Sequence, residues 1–358
     1  MINYEINIDR KKIQVQKIQA AENYVKAIFK DNAYARHFGV YGNNSYPPGR
    51  IRRLREGVKL WALVVLPSLL PFFFFTSLLA KIGATERIAR TLTNPCRKIF
   101  GTSGYAAYAL LMSILSGYPV GAKIIGDLGE NGLIDETDAT KMSSFCSTSG
   151  PLFIVGSVGV GMFGSAAAGK LLFIVHAFSA LITGLIFRFF GRAEITTTRT
   201  NRNAPQPVRP QVSPAKTRAA NGNALYDCVY SSVISIATVG GFICVFYVVA
   251  DIFQNLDLLR PIWKTLFFVT KNEPLSRAFS YGLIECTRGC KMLALCGLST
   301  YSLAFASSLI AFGGVSVLVQ SVCFLKKANV KIPVFLLAKT IQTAISFLLT
   351  LALTFVVL

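Results

Sequence analysis

Long apolar blocks constrain this chain more than anything else in it. A helix of about 20 apolar residues crosses the roughly 30 Å hydrocarbon layer of a bilayer. Blocks approaching or exceeding that length open at Val58, Tyr105, Met142, Lys170, Leu225, Phe279, Tyr301 and Ile332. In hydrocarbon each backbone N–H and C=O has to be bonded within its own segment, which leaves helices as the spanning form for such blocks. Composition agrees. The chain is 53% hydrophobic and 15% charged, with a mean hydropathy of +0.50. That leaves too little polar surface to wrap a soluble core of 358 residues. The expected class is an all-α polytopic membrane protein.

The formal net charge is +20, from 37 Lys+Arg against 17 Asp+Glu. Such a balance is common in nucleic-acid binders. Here the basic residues sit in the polar segments between blocks, the pattern of cytoplasmic loops. The charge is therefore read as orientation and contact with the lipid bilayer, with some attraction for an anionic solute, and no nucleic acid is expected. Arg50-Ile51-Arg52-Arg53-Leu54-Arg55 reads as an interfacial collar. Of 8 cysteines, Cys146, Cys228, Cys244 and Cys323 read as small apolar helix residues. Cys286, Cys290 and Cys296 cluster, but the chain has 2 His and no CxxC at this cluster, so packing is expected there and no metal or other cofactor. Residues 1–50 are polar and carry no signal-peptide core.

Four segments follow: a polar basic segment (1–57), a first transmembrane half (58–190), a basic linker rich in Pro, Asn, Thr and Arg (191–224), and a second half (225–358). The linker has no apolar periodicity and is expected in the cytoplasm. The halves rhyme as span, interrupted block, Ser/Gly-rich block, span. Ser116-Gly117-Tyr118-Pro119-Val120-Gly121-Ala122-Lys123 breaks one block, and Glu285-Cys286-Thr287-Arg288-Gly289-Cys290-Lys291 breaks its counterpart. Gly121-Ala122-Lys123 matches Gly289-Cys290-Lys291, and serines 147 and 149 match Ser307 and Ser308. Paired interrupted segments point to the binding site of a transporter. Two topologies stay open. If the Ser116–Lys123 segment crosses, the first half has an even count of spans, with the N-terminus and linker both inside, which the positive-inside bias favours. If it is re-entrant, the halves are inverted repeats.

Lys123, Glu285, Arg288 and Lys291 lie at the interruptions, where charge inside a membrane is usually functional. In one reading the lysines or Arg288 meet an anionic solute at the midplane and Glu285 is a counter-ion or proton acceptor. In the other, Glu285 and a lysine form a salt bridge that holds broken helices together. Ser147, Thr148, Ser149, Ser307 and Ser308 either hydrogen-bond the solute or cap freed backbone groups. Gln320 reads first as glue between helices. His176 is a weaker candidate, as a proton relay. The full candidate set is Ser116, Gly117, Tyr118, Pro119, Gly121, Lys123, Ser147, Thr148, Ser149, Gly150, Glu285, Thr287, Arg288, Gly289, Lys291, Ser307, Ser308 and Gln320. The chain shows no nucleophile–base–orienter set and no Walker or dinucleotide fingerprint, so neither an enzyme nor a self-contained ATP-driven pump is expected.

Glu56-Gly57-Val58-Lys59-Leu60-Trp61, followed by Leu66-Pro67-Ser68-Leu69-Leu70-Pro71-Phe72, resembles the opening helix of the YlbJ-type sporulation integral membrane proteins, which carry the nucleoside-recognition, or Gate, domain. The likeness continues through Ser116 to Lys123, Ser149-Gly150-Pro151-Leu152-Phe153-Ile154, Gly240-Gly241-Phe242, Glu285 to Gly289, and Phe312-Gly313-Gly314-Val315-Ser316-Val317. It covers roughly residues 55–358 in order. The resemblance implies a broken-helix fold similar to concentrative nucleoside transporters, with two similar halves. It implies a role in endospore formation, in the mother-cell-derived outer forespore membrane, moving dipicolinate toward the spore. A small dianion suits Lys123 and Lys291 near helix breaks. Family members open with a further hydrophobic helix where residues 1–50 here are polar. Rival expectations are a non-transporting scaffold for cortex or coat assembly, and a gate subunit needing a partner membrane protein; a homo-oligomer is also compatible.

Overall fold

The structure, a computed structural model, describes residues 54–55, 57–59, 61–190 and 224–357. Most of the polar N-terminal segment and the linker lie outside the described residues. Every element among the described residues is helical.

The first block opens with a π-wound turn, Trp61–Val65, and continues as α1, Leu66–Lys81. Pro67 takes the start of α1, where its missing N–H costs nothing, and Pro71 lies inside. Gly83, at φ 74°, ends the turn that follows, and α2 (Ala84–Ile99) leaves at 80° to α1. α2 is strongly amphipathic, with Arg87, Arg90, Arg97 and Lys98 on its polar side. Such a helix suits the plane of the interface.

The interrupted blocks become pairs of short helices. Tyr105–Ser116 (α3) and Val120–Glu130 (α4) flank Gly117-Tyr118-Pro119. Glu136–Phe145 (α5) and a π-helix, Leu152–Met162, flank the Ser147–Pro151 stretch. Ala166–Phe187 (α6) closes this half. The second half runs Ala224–Asn255 (α7), Arg260–Thr270 (α8), Glu273–Gly282 (α9), Cys286–Leu295 (α10), Thr300–Phe312 (α11), Gly314–Leu325 (α12) and Ile332–Val357 (α13). By length and hydropathy, four described stretches can each span a bilayer: Ala166–Phe187, Ala224–Asn255, Thr300–Ala328 and Ile332–Thr354. The bent α1–α2 pair makes a fifth when taken as one broken or re-entrant span.

Large apolar side chains on the outside fit that setting. Leu63, Phe178, Val245, Leu295 and Leu348 are all more than half exposed, an arrangement suited to lipid tails rather than water. Inside, two apolar clusters form. One gathers Phe73, Tyr108, Ile125, Met142 and Phe145 with Ile236, Leu318 and Phe335. The other gathers Ile154, Val158 and Leu172 with Leu275, Leu293, Leu303 and Leu309. Each cluster draws on both sides of the linker, so neither half owns a separate core.

Candidate functional site

Broken helices leave backbone groups without intrahelical partners. In the second half these groups find each other. Val315 N–H donates to the Leu283 carbonyl at 2.7 Å, and Ser316 N–H to the Ile284 carbonyl at 3.2 Å. The α9–α10 break therefore lies directly against the α11–α12 break. Gly313 and Gly314 permit this, with φ of 83° and 75°. Glu285 closes the same junction: its carboxylate accepts from the N–H groups of Thr287 (3.0 Å) and Arg288 (2.7 Å), capping α10.

In the first half the approach is tighter still. A Cβ on Gly117 would stand 2.7 Å from the Gly150 nitrogen, so the α3–α4 break touches the stretch between α5 and the π-helix. Gly121 lies against the Cys146 carbonyl and Ser113. Around this contact the side chains are polar and buried. Ser113 Oγ lies 2.9 Å from Thr148 Oγ1 and accepts from Thr148 N–H. Ser149 N–H donates to His176 Nε2 at 2.8 Å. Ser116 Oγ returns to the Met112 carbonyl of its own helix.

The last helix then brings a lysine to this place. Lys339 on α13 is 0% exposed. Its ammonium donates to Tyr118 Oη at 3.0 Å, to Gln342 Oε1 at 2.9 Å, and to the Ser147 carbonyl. It also stands 4.9 Å from the Tyr118 ring centroid. Tyr118 in turn donates to the Ala311 carbonyl at 3.1 Å, joining the first-half break to the end of α11. Among the described residues no carboxylate pairs with Lys339. Below it, α13 carries a buried polar edge of Gln342, Ser346, Thr350 and Thr354. Ser346 meets Ser179 of α6 at 2.9 Å, and the Ser346 and Thr343 carbonyls accept from Ser307 and Ser308.

Of the residues named from the sequence, Tyr118, Ser147, Thr148, Ser149 and His176 gather around Lys339, with Gly117, Pro119 and Gly150 forming the adjoining backbone. Lys123 is buried elsewhere, paired with Asp127 at 2.6 Å one turn along α4. Arg288 lies 3.8 Å from Asp251, and Lys291 is exposed. Gly289 packs against Gly282 where α10 meets α9. Gln320 is buried and donates to Ser316 at 3.3 Å. Sequence reading passed over Lys339 and Gln342, although a lysine inside an apolar block of 27 residues, Ile332 to Leu358, is a strong signal of function.

These features define a class: a multi-spanning α-helical membrane protein whose interrupted helices meet at a buried polar centre. Residues 62–166, which hold the first of those interruptions, match the Gate family, described as nucleoside recognition. The chain is also 33% identical over 311 residues to the sporulation integral membrane protein YlbJ of Bacillus subtilis (strain 168), covering 83% of this chain and 76% of that one. The chain belongs to the family of that sporulation integral membrane protein, which makes it a bacterial integral membrane protein and not an enzyme. No solved structure matches it significantly.

Proposed function

We propose that the chain is a secondary carrier or facilitator for a small polar, anionic solute, acting during endospore formation in the outer forespore membrane, with dipicolinate as the candidate solute. The observation that carries the reading is the direct contact between helix breaks in each half: Gly117 against Gly150, and Leu283–Ile284 against Val315–Ser316. Irregular backbone at membrane depth survives only where protein or a solute path encloses it, and paired breaks are how transporters build a central site. The recurrence supports two similar halves in the manner of concentrative nucleoside transporters, and the relative named for sporulation supports the setting. In this reading Ser116 to Pro119 and Ser147 to Gly150 line the site. Lys123, Glu285, Arg288 and Lys291 shape its approaches.

Vesicles containing the protein test this. Dipicolinate accumulation, read by terbium luminescence, should exceed that of empty vesicles and fall in Lys123→Ala and Glu285→Ala forms that still insert. Wild-type protein that inserts but accumulates nothing would remove dipicolinate as the solute.

A further inference from the structure

The groups around Lys339 carry a surplus of donors. Its three protons are held by neutral groups: a phenol, an amide oxygen and a backbone carbonyl. A buried cation without a counter-charge is expensive in a membrane interior. Three further buried polar atoms beside it have no partner: Ser147 Oγ, Gln342 Nε2 and His176 Nδ1. Each of these is a donor. Gln342 turns its oxygen to Lys339, which leaves its NH2 unused. His176 accepts from Ser149 N–H at Nε2, so the ring's proton sits on Nδ1. Ser147 Oγ–H completes the set. His176, Ser147 and Gln342 are at most 1% exposed, so water does not reach these groups from outside. One cation and three unused donors, with no acid among them, describe a place whose missing partner is an acceptor with negative charge.

We propose that Lys339, Ser147, His176 and Gln342 form a carboxylate-binding subsite, seen here closed, with Tyr118 and the Gln342 oxygen standing in for the anion. A carboxylate suits better than a phosphate. One carboxylate puts one negative charge against one lysine and leaves the second carboxylate of dipicolinate to groups outside the subsite, whereas a phosphate dianion would put both of its charges there. The inference rests on the carrier reading for its biological meaning, and on this geometry alone for the binding.

Binding to the purified full-length protein in nanodiscs tests it, with dipicolinate, uncharged pyridine-2,6-dicarboxamide, uridine and inorganic phosphate as probes. Dipicolinate should bind at least tenfold more tightly than the other three. Gln342→Glu places a carboxylate 2.9 Å from the ammonium, where the amide oxygen now sits. It should melt higher than wild type and bind dipicolinate at least tenfold more weakly. Lys339→Gln should lose binding similarly, while Lys264→Gln, on exposed α8 surface, should not. The proposal is overturned by folded Gln342→Glu or Lys339→Gln protein that binds within twofold of wild type. Equal affinity for the diamide, uridine or phosphate, or no binding by wild type, overturns it too. Dipicolinate binding with this variant pattern but without vesicle accumulation supports the subsite and removes the carrier reading. Undiminished accumulation by Lys339→Gln does the reverse.

Discussion

Asp257 follows the longest helix, α7, in a turn where its φ is 47°, a left-handed position that Asp tolerates better than most residues. Its carboxylate accepts from Tyr281 Oη at 2.6 Å and Trp263 Nε1 at 2.9 Å. Those two hydrogen bonds, Tyr281 first, hold its pKa below the usual carboxylate range, with Arg277 adding to the effect. A folded-state value below the unfolded one, about 3.9, means that the ionised group stabilises the fold above that pH. The contribution disappears as pH falls through the lowered folded value. Asp257→Asn should therefore melt lower than wild type at pH 7, and the gap should begin to close below about pH 3.9 and shrink further as pH falls. A gap of constant size across pH would mean that charge is not the cause. The same residue scale explains what the sequence hid. Lys123 and Glu285 stood out because they lie beside glycines and prolines. Their partners, Asp127 and the α10 N–H groups, are local and could have been read from spacing of three or four residues. Of the three partners of Lys339, only Gln342 is local; Tyr118 and Ser147 lie about 200 residues away, and no local rule reaches that far.

Among the elements, the interruptions at Gly117–Pro119 and within 285–291 were legible because Pro and Gly punctuate an otherwise apolar run. The π winding of Leu152–Met162 was not. Its glycines 156, 159 and 161 gave notice of close packing, and a Cβ on Gly169 of α6 would stand 3.0 Å from Gly159. Hydrophobic periodicity, however, does not separate an α-helix from a π-helix in a segment apolar on every side. Close approach at the breaks makes a sharp prediction. A Cβ on Gly121 would collide with the Cys146 carbonyl, which is backbone and cannot swing away. Gly121→Ala should cost about 3 kcal/mol or more, at the upper end for overpacking. Gly241→Ala meets nothing within 4 Å and should gain about 0.5–1 kcal/mol from helix propensity. Denaturation of both variants in one detergent checks the pair; equal stabilities would refute the close contact at α4.

Across the whole molecule, the division into 58–190 and 225–358 describes the order of the chain better than it describes the packing. Trp61 donates to the Ile236 carbonyl at 2.9 Å, and Lys81 pairs with Asp227 at 2.9 Å. Lys327 pairs with Glu130 at 2.7 Å, and Lys331 N–H donates to Thr140 at 3.1 Å. With the two shared apolar clusters, these contacts predict that a chain cut within 191–223 and co-expressed as two fragments will reassemble. A tag on one fragment should recover the other in about equal amount. Recovery of single fragments would mean that the linker, not the interface, holds the halves together.

The position of Lys339 also orders events at the ribosome. The chain enters the membrane from its N-terminus, so Tyr118, Ser147 and His176 are synthesised long before Lys339. Its helix has the lowest mean hydropathy of the four spans, 1.7, and Lys339, on the third turn of that span, adds part of the cost of about 2.5–3.5 kcal/mol that a lysine carries at a span's centre. That helix thus arrives least able to enter lipid alone, and at a time when its acceptors are already waiting. The polar centre is completed only once that helix is made, and a chain that stops short of it carries a vacancy where that helix belongs.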